Sequence, residues 1–250
     1  MDFKDFITAT VVTYNSGEKA EKICNQLLKY TKKYPFKLYV VDNNSTDNTV
    51  ELLNHVKGIS VIKNSENKGF ATGHNTVFEN VGKYHFVINP DIEISRDILS
   101  EIADFMENNP HIAMLNPTIL NPDGSIQQLP KKRPTFKRLF LGRIFPAIRH
   151  EYTSISGEND TVFETDFCSG CFFCIRGEIF KYLGGFDEHF FMYMEDADLT
   201  LRAKNYGKTV VASQFSITHQ WERQSAKSLK LFLIHLKSSI KFLVKWGKEK

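Results

Sequence analysis

The sequence has few cysteines and no long apolar run. Four cysteines in 250 residues are too few for a disulfide framework. No stretch reaches the roughly 18 apolar residues of a membrane-spanning helix. The N-terminal MDFKDFITAT carries acids where a signal peptide would be basic and then apolar. We therefore expect a cytoplasmic chain without a signal peptide or a membrane span.

Two nucleotide-binding signatures are also absent. No G-x-G-x-x-G follows the first predicted strand, and G-x-x-x-x-G-K-[ST] occurs nowhere, which argues against dinucleotide dehydrogenases and P-loop hydrolases. Cys168, Cys171 and Cys174 have a spacing seen in metal sites, but no fourth ligand lies nearby. We expect buried apolar cysteines on one strand, with Cys171 facing away from the other two.

The positive charge is concentrated in two segments. Residues 131–149 carry seven Lys or Arg and no acid, and residues 226–250 carry seven Lys and one Glu, although the net charge of the chain is only +3. Such segments favour an anionic partner: phospholipid, lipid-linked phosphate or nucleic acid. No nucleic-acid-binding motif accompanies them, so we expect no nucleic acid partner.

Strand and helix patterns alternate through the first half of the chain. Strands are predicted at Ile7–Thr13, Leu38–Val41, Ile59–Ile62, Tyr84–Ile88 and His111–Asn116. Helices are predicted from Ser16-Gly17, from Thr46 or Asp47, over Gly69–Asn80, and over Arg96–Met106 with Ser95 as the cap. This order predicts an α/β fold with a doubly wound, mostly parallel sheet and helices on both faces. Its ligand would bind at the carboxyl ends of the strands, where Asn and Asp cluster.

Four blocks of sequence resemble the family-2 glycosyltransferases of GT-A fold, over roughly residues 7–225. They are VVTYNS (Val11–Ser16), VVDNNSTDNT (Val40–Thr49), NKGFATGHN (Asn67–Asn75) with NPD (Asn89–Asp91), and the long block Cys168–Gly207. The resemblance implies an inverting transferase that uses a nucleotide-sugar donor. The NPD and GGFDE…FFMYMED forms are closest to the rhamnosyltransferase-like branch, which implies dTDP-rhamnose as donor; a UDP-hexose transferase stays open.

The resemblance also implies a donor site and a metal site. The implied donor-binding residues are Thr13, Tyr14, Asn15, Asp42, Asn44, Asn67, Gly69, Phe70, Gly73, Asn75, Asn89 and Asp91. Asp91 and His219 are the implied ligands of Mg²⁺ or Mn²⁺, which suits a hard carboxylate. Asn89 stands where the fuller Asp-x-Asp motif has its first carboxylate, and Glu93 is a possible helper.

The implied catalytic and acceptor residues lie in the last block. Asp196 is the implied general base, with Glu195 and Asp198 as alternatives. Phe186, Asp187 and Tyr193 resemble the acceptor-side wall, although packing under the sheet would equally explain the aromatic side chains.

We expect one glycosyltransferase domain over residues 1–225, followed by a helix. Residues 1–116 would bind the nucleotide-sugar, and residues 117–225 would bind a glycan or polyprenyl-diphosphate-linked acceptor of polysaccharide synthesis. Residues 226–250 form a basic amphipathic pattern. Together with residues 131–149 it favours a peripheral position on the inner face of the cell membrane. The alternative for the helix is that it packs its apolar face on the domain. The alternative for the function is a non-catalytic membrane-surface or nucleic-acid-binding protein.

Overall fold

The computed structural model describes residues 3–153, 161–220 and 228–247. In these residues one mixed sheet has nine strands: β1 (Ile7–Thr13), β2 (Phe36–Asp42), β3 (Ile59–Lys63), β4 (Tyr84–Ile88), β5 (Ile92–Glu93), β6 (Ile112–Leu120), β7 (Val162–Glu164), β8 (Phe172–Arg176) and β9 (Lys208–His219). The order is β3-β2-β1-β4-β8-β6-β9-β5, and β7 also pairs with β9. Strands β1 to β4 are parallel, and β8 runs antiparallel to β4 and β6.

Nine helices accompany the sheet in the described part of the chain. They are α1 (Gly17–Tyr30), α2 (Thr49–Asn54), α3 (Gly69–Asn75), α4 (Ile98–Asn108), α5 (Phe136–Phe140), α6 (Pro146–Thr153), α7 (Gly177–Tyr182), α8 (Glu195–Ala203) and α9 (Leu229–Trp246). Short 3₁₀ turns cover Phe78–Asn80 and Leu141–Arg143. None of these helices is long and apolar enough to cross a bilayer.

The sheet is covered on both faces, as the strand pattern predicts. Successive residues of β4 alternate between two apolar clusters: Phe86 and Ile88 pack with α1 and α4, whereas Val87 packs with α3, α7 and α8. This is the period of two that a strand imposes on its side chains. The predicted α/β fold is confirmed.

Several boundaries differ from the sequence prediction. Asp97 caps α4, accepting from Ser100 N at 3.2 Å, so the predicted Ser95 cap is wrong. The helix predicted over Gly69–Asn80 ends at Asn75. The strand predicted from the sequence at Lys208–Ala212 extends as β9 to His219. Strands β5 and β7, of two and three residues, were too short to give a periodic signal.

The cysteine run is only partly a strand, because β8 begins after Cys171. All four cysteines are free and buried. Cys171 and Cys174 pack in the same cluster with α1 and α4, and Cys168 packs in the other, so the predicted alternation is wrong. The turn before β8 breaks the period of two on which the prediction depended.

Helix α9 lies against the domain on a narrow face. Ser238, Ser239 and Phe242 are buried there, whereas Leu233 and Val244 are exposed, at 54% and 72%. At 100° per residue, the exposed side chains lie about half a turn around the helix axis from the buried ones. Phe242 packs in a buried cluster with Leu139 and Met194, and Leu243 and Trp246 pack against this cluster. The helix therefore packs part of its apolar side chains on the domain and exposes the rest.

Candidate active site

A cavity of 410 Å³ opens at the carboxyl ends of β1, β2 and β4. Seven of the residues implied to bind the donor line it: Thr13, Tyr14, Asn67, Gly69, Phe70, Asn89 and Asp91. Two buried polar atoms in its wall, Thr13 Oγ1 and Asp91 Oδ1, have no hydrogen-bond partner. Unsatisfied buried polar atoms are costly, so their presence in one cavity points to a polar ligand.

The loops after β1 and β2 are bonded to each other beside this cavity. Asn15, at φ 51°, accepts from Thr46 N at 2.9 Å, and Asn44 is an exposed residue at φ 62°. Asp42 is buried, and its two oxygens accept from the amide and hydroxyl of Ser45 at 3.1 and 2.5 Å. The structure therefore places Asn15, Asp42 and Asn44 around the cavity rather than in its wall.

Helix α3 begins at the cavity and is held against a distant segment. Gly69 has φ +84°, and a Cβ there would overlap the Phe191 carbonyl, to which Phe70 N donates at 2.8 Å. Asn43, missed among the implied residues, donates to Gly69 O at 2.9 Å and lines the cavity. Only glycine permits this approach of two backbones.

The other two residues implied on α3 are involved in packing. A Cβ on Gly73 would lie 2.8 Å from a methyl group of Val12, so this glycine lets α3 approach β1. The Asn75 amide bonds to both the carbonyl and the amide of Phe186, each at 2.9 Å. Neither lines the cavity, which differs from the expectation that they bind the donor.

Asp91 and His219 lie together in the wall of the cavity. Residue Ile92 of β5 pairs with His219 at the end of β9, and this places His219 Nε2 3.3 Å from Asp91 Oδ1. The approach has the distance of an ion pair but not hydrogen-bond geometry, so this oxygen stays without a hydrogen bond. The pairing of β5 with β9 is thus what brings together two residues 128 positions apart.

The orientation of the imidazole is fixed by Gln127, which is buried. The Gln127 Nε2 donates to His219 O at 3.0 Å, so the Gln127 Oε1 faces His219 Nδ1, also at 3.0 Å, and accepts a hydrogen bond from its N–H. Nε2 of a neutral ring would then present a lone pair to Asp91. Burial lowers the pKa of His219, but Asp91 and the Cys171 thiol raise it more strongly, to about 10. The proximity of Asp91 therefore favours a positive charge at His219 Nε2, which a proton or a metal ion can supply.

Glu93 does not join this pair, which corrects the expectation that it could help. Its carboxylate accepts from Lys22 Nζ at 2.5 Å and from Gln220 Nε2 at 2.9 Å. Among the described residues, no group of three or more His, Cys, Asp or Glu side chains is arranged to hold a metal. A metal ion would therefore take two protein ligands there and complete its shell with oxygens of a ligand.

Asp196 lies in the first turn of α8 and faces Phe70 across Gly170. Its Oδ2 accepts from Gly170 N at 2.9 Å, and a Cβ on Gly170 would lie 3.3 Å from both this oxygen and the Phe70 ring. Partial burial raises the pKa of Asp196 to about 6, against the hydrogen bonds from Gly170 and Ala197. A carboxylate titrating near neutral pH is suited to accept a proton.

The neighbouring acids have different environments. Glu195 is buried, its Oε2 has no partner, and burial together with Asp196 raises its pKa well above the usual range. Asp198 is fully buried and bonds to Arg202 Nε at 2.8 Å, Lys245 Nζ at 2.7 Å and Trp246 Nε1 at 2.8 Å. Asp198 therefore attaches α9 to the domain. Asp196 is half-buried, has no cationic partner among the described residues and lies outside the wall of the donor cavity, behind Gly170 and Phe70.

The three implied acceptor residues separate in the structure. Phe186 is 2% exposed and packs with Phe70 and Phe180, so it lines neither this cavity nor an open wall. Asp187 pairs with Lys245 Nζ at 2.7 Å. Tyr193 does line the cavity, at φ 70° in the turn before Glu195.

The fold defines a class, the α/β proteins of GT-A fold. A crystal structure of GalNAc-T7 with UDP, GalNAc and Mn²⁺ matches with a TM-score of 0.70, at 15% identity over 98% of this chain. The chain spans 48% of that structure's length, and at 15% identity this likeness shows the fold alone.

The chain belongs to glycosyl transferase family 2, whose sequence profile matches residues 8–184. It is 26% identical over 215 residues to an N-acetylglucosaminyl-diphospho-decaprenol L-rhamnosyltransferase of Mycobacterium tuberculosis, which covers 78% of this chain and 69% of that protein. It is 24% identical to rhamnosyltransferase WbbL of Escherichia coli K12, over 94% of this chain and 91% of WbbL. The enzyme class and the rhamnosyltransferase-like branch expected from the sequence are confirmed.

Asp198→Ala is expected to destabilise the fold without removing the donor cavity. The substitution leaves Arg202, Lys245 and the Trp246 indole without their buried anion. We expect this to lower the free energy of unfolding by about 3 kcal/mol. Chemical denaturation measures this loss. Asp196→Asn is the matched control, and a loss of stability equal to that of Asp198→Ala would contradict the different roles given to the two acids.

Proposed function

We propose that the chain transfers a sugar, with inversion, from a nucleotide-diphosphate donor to a hydroxyl of a glycan or lipid-linked acceptor. The observation that carries the proposal is Asp196, whose raised pKa and position across Gly170 from Phe70 suit a base facing the donor cavity. The Asp196 carboxylate takes the acceptor's hydroxyl proton as that oxygen bonds to the anomeric carbon. The bond from this carbon to the diphosphate breaks, and the nucleoside diphosphate leaves with the electron pair.

The donor lies in the 410 Å³ cavity in this proposal. Thr13 and Asp91 supply unsatisfied polar atoms, and Tyr14, Asn67 and Asn89 are the further polar side chains from the implied set in its wall. The mycobacterial relative and WbbL are both named rhamnosyltransferases, which supports L-rhamnose as the sugar. A UDP-hexose donor is the second candidate.

A divalent cation, Mg²⁺ or Mn²⁺, fits the Asp91–His219 pair. The fit depends on the unsatisfied Asp91 Oδ1 and on the lone pair that Gln127 directs from His219 Nε2 towards it. A bound cation would supply charge to stabilise the leaving diphosphate. Asp91 and His219 then hold the cation, and Gln127 keeps the imidazole in its binding orientation.

Thermal unfolding with UDP, dTDP, GDP and CDP, each with and without Mn²⁺, tests the donor site. We expect a metal-dependent rise of Tm with UDP or dTDP, because a ligand of the native state stabilises it. Asp91→Asn should remove most of the metal dependence and keep the fold.

The exposed Glu66→Gln is the matched control, since it removes a carboxylate from the same end of the sheet without touching the cavity. No shift with any nucleotide for the unmodified protein would contradict the donor site.

Activity against pH tests the base. We expect the rate to fall on the acid side with an apparent pKa of about 6, since the carboxylate must be charged to accept the proton. Asp196→Asn should lower the rate by about 10² to 10⁴-fold. Its UDP-induced shift in Tm should be unchanged, and an active Asp196→Asn protein would rule out Asp196 as the base.

We propose further that α9 docks on an anionic membrane surface, as a peripheral contact. Its solvent-facing side carries Leu229, Leu233, Ile240 and Val244, all exposed. Lys230 and Lys237 flank this row and are also exposed. In this position the apolar side chains can insert at the boundary of the acyl chains, and the lysines can interact with anionic lipid headgroups. The basic segment 131–149 adds exposed Phe136, Ile144 and Phe145.

Flotation with phosphatidylglycerol-containing vesicles tests this contact. The triple variant Leu233→Gln, Ile240→Gln, Val244→Gln should reduce co-flotation at least about tenfold, because three apolar side chains no longer gain burial in lipid. Ile126→Gln, an exposed apolar residue on the turn after β6, is the control. Flotation of the triple variant equal to that of the unmodified protein would contradict membrane docking. It would also be contradicted if the unmodified protein proved dimeric and only the triple variant were monomeric, since these side chains would then form an interface between copies.

A further inference from the structure

A second cavity, of 320 Å³, lies near the base. It is formed by α5, α6, the turn before α8 and one side of α9. Its wall includes Arg138, Leu139, Arg149, Tyr152, Met194 and His235. None of the residues implied to bind the donor or acceptor contributes to it.

The wall of this second cavity is cationic. Its lining contains two arginines and a histidine and no carboxylate. Arg138 is held in position by the Arg133 carbonyl and by Glu151, each at 2.9 Å, and its side chain is 19% exposed. Arg149 is exposed and has no side-chain partner among the described residues. Both guanidinium groups line this cavity, Arg138 in a fixed position and Arg149 without a side-chain partner in the described part of the chain, and guanidinium groups form strong hydrogen bonds with phosphoryl oxygens.

Tyr152 provides a polar group that the protein leaves unused. The residue is 8% exposed, and its hydroxyl is buried without a hydrogen-bond partner. Burial raises the pKa of Tyr152, and the charge of Asp196 raises it further, so the hydroxyl is near the base and stays protonated. A neutral donor in this place can hydrogen-bond to a phosphoryl oxygen.

The two cavities are separated by one short turn. Tyr193 lines the donor cavity and Met194 lines the second. Helix α9 also contributes to both, with Leu231 in the first and His235 one turn later in the second. A molecule held in the second cavity can therefore present a sugar past Asp196 to the donor.

The second cavity also borders apolar surface. Leu139 and Gly142 form part of its wall, and the exposed Leu141, Ile144 and Phe145 follow in the same segment. A ligand with a phosphoryl group and an alkyl chain would match both surfaces.

We infer that this second cavity binds the diphosphate of a prenyl-diphosphate-linked acceptor, with Arg138, Arg149 and the Tyr152 hydroxyl as its ligands. The inference rests on the proposed sugar transfer, and it assigns a position to the acceptor's phosphoryl groups that is distinct from the donor site.

Titration calorimetry with farnesyl diphosphate tests the assignment, in the presence of saturating UDP and Mg²⁺ to fill the donor cavity. Arg149→Gln and Tyr152→Phe should each bind this probe at least about tenfold more weakly than the unmodified protein. Lys57→Gln, which removes an exposed charge far from both cavities, should bind it equally well. Tyr152→Phe should not lower Tm, because the hydroxyl it removes has no partner.

Two further measurements separate the possible outcomes. The UDP-induced shift in Tm should be the same in all four proteins, so failure of the donor site is detected independently of this cavity. Equal affinity of all four proteins for farnesyl diphosphate overturns the inference. It is also overturned if Arg149→Gln weakens binding to phosphatidylglycerol vesicles alone, since the cavity would then be a lipid headgroup site.

Discussion

The hydrogen bond from Phe70 N to Phe191 O joins the two halves of the molecule. It forms because Gly69 leaves room for the carbonyl, and it fixes the start of α3 against the turn that leads into α8. Phe70 then faces Asp196 across Gly170. This backbone contact, together with the two hydrogen bonds between Asn75 and Phe186, connects segments more than 100 residues apart. A side chain at Gly69 would disrupt the backbone contact.

The parts of the site that the sequence predicted are those governed by local rules. Strands β1 and β4 have the predicted bounds because β-branched and apolar runs end there in polar turns. Asp91 follows such a turn, and the rule that ligands bind at strand ends placed it in the cavity wall. The resemblance implied Asp196 as the general base, and the structure places it in the first turn of α8 with a raised pKa.

The remaining parts depend on contacts between distant residues, which a single sequence does not display. Gln127 orients His219 across 92 positions, and buried Asn116 positions the loop before β8 by accepting from Ser169 N at 2.6 Å. Gln127 and Asn116 lie outside the sequence blocks that carry the resemblance, so no motif marks them. Helix α9 was predicted as amphipathic, but which face meets the domain is decided by Asp198, whose partners Lys245 and Trp246 lie on the side opposite the exposed leucines.

The unsatisfied atoms of the donor cavity have a consequence for turnover. Thr13 Oγ1 and Asp91 Oδ1 lie where the nucleotide and its diphosphate are proposed to bind, and both parts of the donor remain in the nucleoside diphosphate after the sugar has left. The interactions that capture the substrate therefore also retain the product. The enzyme should be subject to product inhibition competitive with the donor, and release of the nucleoside diphosphate then contributes to the time of each catalytic cycle.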